Sequence, residues 1–343
     1  MIVGVCGLGY TGSGAVIDLL KEYSGIQVED KDEFGLVFRP DGLQDLNYHL
    51  TNPARYMSSD IAIKRFIKLY RYAFRPRAGW GADYSAKADD LLEKFLREIV
   101  QVKWKGTWAG DSHLKNKFVN SIDGHIFMRI SKFVYKKFGC LIYPNRTMYL
   151  SVKPEQIEIK SKQLVSELFN MLGYNKTEII VLNQPFAGNN PKASFPYYER
   201  PKAIIVDKDP RDLYFQCKYE VKSNCTWTPC YDVKKYIEYY KAIRKEMPRK
   251  SESDILFLRF EDLIYEYDIT IATIENFLGI DHNNHNNIKR YFNPEISINN
   301  TQLFRKYKQY RDDIELIENE LVDFLYPYDN YPVKTHFGAS YND

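Results

Sequence analysis

The residues with the most chemistry in them stand near the start of the chain: Gly7-Leu8-Gly9-Tyr10-Thr11-Gly12-Ser13-Gly14. They lie between an apolar run, Ile2 to Cys6, and an amphipathic stretch from about Ser13 to Tyr23. A glycine-rich turn between a strand and a helix offers unhindered backbone N–H groups, and the helix terminus adds about half a positive charge. Thr11 and Ser13 add hydroxyls, so the segment predicts a cradle for a phosphate or a sulfate. Gly7, Gly9 and Gly12 also spell GxGxxG, and Glu29 and Asp30 follow roughly where a dinucleotide fold places its ribose carboxylate. An NAD(P)-dependent oxidoreductase is therefore one reading. A Walker A loop is a weaker one, because no lysine precedes the Ser13 hydroxyl. The loop alone leaves the choice open.

Two later segments have ligand-binding potential. Val206-Asp207-Lys208-Asp209-Pro210-Arg211-Asp212 ends one apolar run and opens a helical one. Two cations beside a helix start suit a second anion; a capped turn with Arg211 paired to an acid is the plainer alternative. Asn183-Gln184-Pro185 also ends a strand-like run, where open α/β sheets bind ligands, so Gln184 is a candidate substrate contact.

The elements that must hold these residues read as α/β. Ile2–Cys6, Ile26–Val28, Glu178–Leu182, Ala203–Asp207 and Ile255–Arg259 are short β-branched runs bounded by turn residues. Strand, glycine turn, helix and strand within about 35 residues make a βαβ opening and predict a parallel sheet flanked by helices. Helical spacing returns at Glu155–Leu172, Pro210–Tyr219, Tyr231–Glu246, Glu261–Leu278 and Asp312–Leu325. Residues 55–150 differ: Ile61–Phe74, Asp89–Trp104 and Ser121–Phe138 show helical spacing rich in Lys, Arg and aromatics. The expectation is a single domain over 1–343, with 55–150 a mainly helical insertion shaping an acceptor cleft.

Composition narrows the function classes. The 343 residues are 44% hydrophobic and 27% charged, enough for a sizeable core and against a disordered chain. The net charge of +3 argues against a dedicated nucleic-acid binder while allowing a local basic pocket. No run approaches the ~18 apolar residues of a spanning helix. Asp18 and the lack of a basic start argue against a signal peptide. Five cysteines, odd in number, without CxxC spacing, predict a reduced, cytoplasmic setting and no metal site.

Three segments, in order, make the sequence resemble the PAPS-dependent sulfotransferase superfamily, in particular its bacterial glycan-type members. They are the loop Tyr10-Thr11-Gly12-Ser13-Gly14; Asp207-Lys208-Asp209-Pro210-Arg211-Asp212; and Leu256-Phe257-Leu258-Arg259-Phe260-Glu261-Asp262-Leu263 with Ile274-Glu275-Asn276-Phe277-Leu278-Gly279-Ile280. The family's "R-(D/N)-P-(R/K)-D" and "lxYEDL … I..FLGI" patterns are similar to the last two. The resemblance implies a P-loop-like sulfotransferase fold and transfer of a sulfuryl group from 3′-phosphoadenosine 5′-phosphosulfate (PAPS) to a hydroxyl. The acceptor implied is a carbohydrate, such as a surface polysaccharide or its lipid-linked precursor, with peripheral membrane proximity in the latter case. It puts Gly9 to Gly14 on the donor's 5′ side. Lys208 stands where the family arginine grips the 3′-phosphate, Arg211 shares the task, and Gln216 stands at the partner serine. Arg305 and Lys306, in Asn300-Thr301-Gln302-Leu303-Phe304-Arg305-Lys306, resemble the late basic loop that closes over the nucleotide. Glu33, after the second strand, is the first candidate for the base that deprotonates the acceptor, and His113 the second; Arg39 is a candidate acceptor contact. A noncatalytic nucleotide- or glycan-binding module remains the third function class.

Overall fold

The computed structural model describes residues 1–30, 33–53, 57–75, 85–106, 108, 126–142, 146–221 and 225–338. In chain order its principal elements are β1 (Ile2–Cys6), α1 (Ser13–Leu20), β2 (Ile26–Glu29), α2 (Leu43–Thr51), α3 (Ser58–Ala73), α4 (Ser85–Ile99), β3 (Val102–Lys105), α5 (Met128–Phe138), β4 (Thr147–Leu150), α6 (Ile157–Leu172), β5 (Ile179–Asn183), β6 (Pro201–Asp207), α7 (Pro210–Phe215), α8 (Val233–Ile243), β7 (Ile255–Arg259), α9 (Tyr267–Leu278) and α10 (Arg311–Glu320).

The chain divides into two compact units, Met1–Val37 with Leu172–Asp343, and Phe38–Met171. The first holds a five-stranded sheet in the order β2-β5-β1-β6-β7, with every pairing parallel. Parallel strands covered on both faces need apolar residues at every position, and β1 is buried along its whole length. Val3, Val5, Val181, Ile204, Val206, Leu256 and Leu258 form one core with Val16, Leu19 and Leu20 of α1 and Ile271, Ile274 and Leu278 of α9. A second core joins α7, α8 and α10 through Tyr214, Phe215, Tyr236, Tyr240 and Ile317. The expected helix Glu261–Leu278 is broken: a single turn, Asp262–Tyr265, precedes α9, with Glu266 off helical geometry between them.

The second unit starts earlier and ends later than the expected 55–150. Its outer helices belong to its interior: the buried Ser161 hydroxyl of α6 donates to Asn47 Oδ1 of α2 at 3.1 Å, and Lys153 N donates to Leu50 O at 2.9 Å. Among its helices it holds one short antiparallel pair of strands. The stretch Asp89–Trp104, expected as one helix, is helix only to Ile99; Val102–Lys105 then pairs antiparallel with β4. Val102 and Trp104 alternating with Lys103 and Lys105 suit an exposed strand better than a helical turn.

Candidate functional site

Central strand β1, with β5 on one side and β6 on the other, delivers the glycine loop to the carboxyl edge of the sheet. The chain passes from β1 to β2 and β5 on one flank and then to β6 on the other, so β1 stands at the switch point where such sheets hold ligands. Gly9 and Gly12 take left-handed conformations, with φ of 79° and 98°. Gly12 is the N-cap of α1, and a Cβ there would sit 2.3 Å from the Phe260 ring. At Gly14, by contrast, a Cβ would meet nothing within 4 Å. Thr11 is buried and its hydroxyl oxygen accepts from Leu8 N at 3.1 Å, so it holds the loop's shape from inside. Ser13 stays at the rim of the helix start.

Of the expected residues from other elements, Gln184 meets this loop and Glu33 stands on a segment tied to the same sheet edge. Gln184, just past β5, accepts from Gly7 N at 3.1 Å through Oε1 and reaches the Ser13 hydroxyl at 3.5 Å through Nε2. It does so from a left-handed backbone, φ 48°, a conformation a non-glycine residue keeps only where its surroundings demand it. Glu33 is exposed on the segment after β2, which is tied to the same edge by Phe34 N donating to Asn183 O at 3.3 Å. Burial, with Glu33 as a lesser cause, pushes the Cys6 thiol up to about 12. Glycine loop, Gln184 and Glu33 thus share one edge.

Of the two readings of the basic segment, the structure has the turn capped by Asp209 with Arg211 paired to acids, and it is buried rather than solvated. Lys208 is only 1% exposed. Its ammonium donates to Gln216 Oε1 and lies 4.8 Å from the Phe260 ring centroid. Burial lowers its pKa, with Asp212 and Glu261 opposing. Arg211 is also interior: it bonds both oxygens of Asp209, at 3.0 and 2.8 Å, and Glu318 at 2.8 Å, and stacks 4.2 Å over Phe304. Asp209 caps α7 by accepting Arg211 N. Lys208, Arg211 and Gln216 therefore face inward, as members of a buried ion network, because the carboxylates Asp209, Asp212 and Glu261 are buried beside them. Phe260 links this network to the glycine loop, one part of the ring against Gly12 and its face toward Lys208.

The late basic turn is clipped to the same network. Asp212 accepts from Gln302 N at 2.8 Å and Phe304 N at 3.4 Å, which fixes the turn Leu303–Arg305. Arg305 is half-buried, with its guanidinium 5.2 Å over Phe304, and Lys306 is exposed and paired with Glu220 at 2.6 Å. Arg39 belongs to the other unit, exposed on the turn that its carbonyl closes by accepting Gly42 N. His113 lies outside the described residues.

One residue that sequence reasoning passed over stands out. Trp227 stacks on Tyr10, with centroids 5.4 Å apart, and a Cβ on Gly9 would fall 1.7 Å from its indole. It is half exposed, 52%, directly over the loop. A tryptophan in a polar segment between Cys225 and Cys230 was the available signal. The dinucleotide reading loses its geometry here. Its carboxylates should neighbour the glycine turn, yet β5 separates β2 from β1 by two strand spacings, roughly 10 Å. Asp30 is paired with Lys21 at 2.6 Å, and Glu29 accepts from Gln27 at 2.8 Å.

No protein-family model matches the chain. No curated protein matches it either. Among solved structures it is similar to the sulfotransferase domain from the curacin biosynthetic pathway, at a TM-score of 0.34 and 11% identity over 82% of this chain and 73% of that one, a likeness too slight to carry an argument.

Proposed function

We propose that the protein is a sulfotransferase that moves the sulfuryl group of PAPS to a hydroxyl of a carbohydrate acceptor. The observation that carries the reading is the Gln184 side chain joined to Gly7 and Ser13 of the glycine loop, at the sheet edge to which the segment carrying Glu33 is tied through Phe34. An anionic donor group fits there: the N–H groups of the loop and the first turn of α1 are free of side-chain crowding at Gly14, and the helix start favours negative charge.

PAPS supplies an activated sulfuryl group on a nucleotide leaving group. Its transfer, like phosphoryl transfer, demands positioning and neutralisation of the growing charge more than covalent help. Loop N–H groups and the Ser13 hydroxyl meet that demand. Gln184 holds the loop by its Gly7 N–H and orients the Ser13 hydroxyl. Glu33 takes the proton of the acceptor hydroxyl. Arg305 and Lys306, on the turn set by Asp212, bind the outer phosphate. The exposed face of Trp227 beside the loop supports a sugar acceptor, since pyranose rings stack on aromatic faces. A surface polysaccharide or its lipid-linked precursor presents such rings.

The test is thermal unfolding with 3′,5′-ADP, NAD and ATP. A ligand at a hundredfold its Kd stabilises by about 2.7 kcal/mol, and 3′,5′-ADP alone is expected to do so. Stabilisation by NAD without 3′,5′-ADP overturns the proposal. A binding module would respond to 3′,5′-ADP yet transfer no label from PAPS to any sugar acceptor.

A further inference from the structure

Helix α5 of the second unit has no buried residue. Its sequence, Met-Arg-Ile-Ser-Lys-Phe-Val-Tyr-Lys-Lys-Phe, would ordinarily hide one face. At 100° per residue Ile130, Phe133, Val134 and Phe138 fall on one side, joined by Ile126 just before the helix. Ile126, Ile130, Phe133 and Phe138 are 54%, 50%, 61% and 62% exposed. Arg129, Lys132 and Lys136 form a stripe along the edge of that face. Lys137 emerges within it, and its ammonium lies 5.8 and 5.3 Å from the Phe133 and Phe138 rings. The helix holds four cations and no acid.

We propose that α5 lies on an anionic lipid surface, its apolar face in the acyl boundary and its cations on the headgroups. Charge selects this occupant. A second copy of the chain would bring four cations against four with no carboxylate from either helix. Anionic headgroups complement them, and an apolar face flanked by Lys and Arg is the pattern of an interfacial helix. Eleven residues rise only about 16 Å, so the helix lies in the plane of the surface and does not cross it. Among the described residues no helix is long and apolar enough to span. The inference concerns where the protein sits and stands whether or not it transfers sulfate; a lipid-linked acceptor would be met at such a surface.

Co-sedimentation of the full chain with vesicles tests it, using phosphatidylcholine alone against phosphatidylcholine mixed with phosphatidylglycerol. The mixed vesicles are expected to retain the protein, the neutral ones not, and high salt to weaken retention. Lys132→Gln with Lys136→Gln removes two charges, each worth about fivefold near an anionic surface, so binding falls about 25-fold. Phe133→Ser with Phe138→Ser lowers it at least about tenfold through lost apolar insertion. All four positions are exposed, and both variants should melt as the parent does. Equal retention on neutral vesicles, unchanged binding of both variants, or a dimer in solution that Phe133→Ser with Phe138→Ser dissociates would each overturn the proposal.

Discussion

Trp227 lies across Gly9 at a point where the smallest side chain would occupy the indole's own space, 1.7 Å from a ring carbon. The backbone of Gly9 is left-handed as well, φ 79°. Gly9→Ala therefore meets two penalties: about 1–2 kcal/mol for the left-handed alanine, and displacement of the indole from Tyr10. Lower stability in urea, a changed near-UV tryptophan signal and weaker stabilisation by 3′,5′-ADP are expected together. For stability in urea and the tryptophan signal, Gly14→Ala is the matched control. Its Cβ meets nothing, and alanine in place of glycine within a helix gains up to about 1 kcal/mol. Equal loss in both variants would show that Trp227 does not rest on Gly9.

Gln216 is the hydrogen-bond partner of a buried ammonium. Gln216→Leu leaves Lys208 desolvated without that acceptor, a loss of roughly 1–3 kcal/mol. Lys208→Met keeps the volume and removes the charge, at the expense of Asp212 and Glu261, whose carboxylates the ammonium favours. Both variants should unfold at lower urea. Because the lysine faces inward, Lys208→Met should change the Kd for 3′,5′-ADP by less than about threefold once stability is accounted for. A loss of a hundredfold would show that Lys208 turns outward to grip the nucleotide, as the family resemblance implies.

What the sequence disclosed, and what it hid, follows from how local each signal is. β1, β5, β6 and β7 were legible because a doubly covered parallel strand carries a near-continuous apolar run. The glycine loop was legible because its backbone needs glycine. Strand order was not: nothing in β2 or β5 announces that β5 stands between β1 and β2. That order is what separates Glu29 and Asp30 from the loop. Lys208 and Arg211 read equally as an anion cradle or as a solvated turn with Asp209 capping and Arg211 paired to an acid; their burial was hidden, since it depends on Asp209, Asp212 and Glu261 meeting Gln302, Tyr326 and Tyr328 across the fold. Scatter along the chain also concealed contacts. Cys217, Cys225 and Cys230 pack into one core. Glu22, an ordinary helix acid in sequence, is buried and accepts from Lys289 N, Tyr291 N, Phe292 N and His285 Nε2.

Glu33 offers a test of chemistry separate from folding. It is exposed and held at the sheet edge through the backbone of its neighbour Phe34, so Glu33→Gln should leave the Tm and the response to 3′,5′-ADP unchanged. As the acceptor's base it contributes about 10²–10⁴-fold. The expected outcome is a fall of that size in kcat for transfer from labelled PAPS, with nucleotide binding intact. An unchanged rate removes Glu33 from the mechanism.

The buried network gives the fold a pH dependence whose sign can be worked out. Burial, reinforced by the Asp209 carboxylate, pushes Asp212 up to about 6 from an ordinary 3.8. Burial pushes Glu261 up to about 7 from 4.5, with Arg259 opposing. Between those values the folded protein binds protons that the unfolded chain has released, so stability falls as pH rises from about 4 to about 7. For two carboxylates sharing Tyr328, the stability lost across that window is on the order of a few kcal/mol. Asp207 does not offset this: burial favours its neutral form, but Arg244 outweighs that and holds it below its usual range, beneath the window. Urea unfolding at pH 5 and pH 7.5 should give the higher midpoint at pH 5. Asp212→Asn, neutral at both values, should reduce the difference. A parent protein more stable at pH 7.5, or a variant with the full difference, would show that these carboxyls are ionised in the fold throughout.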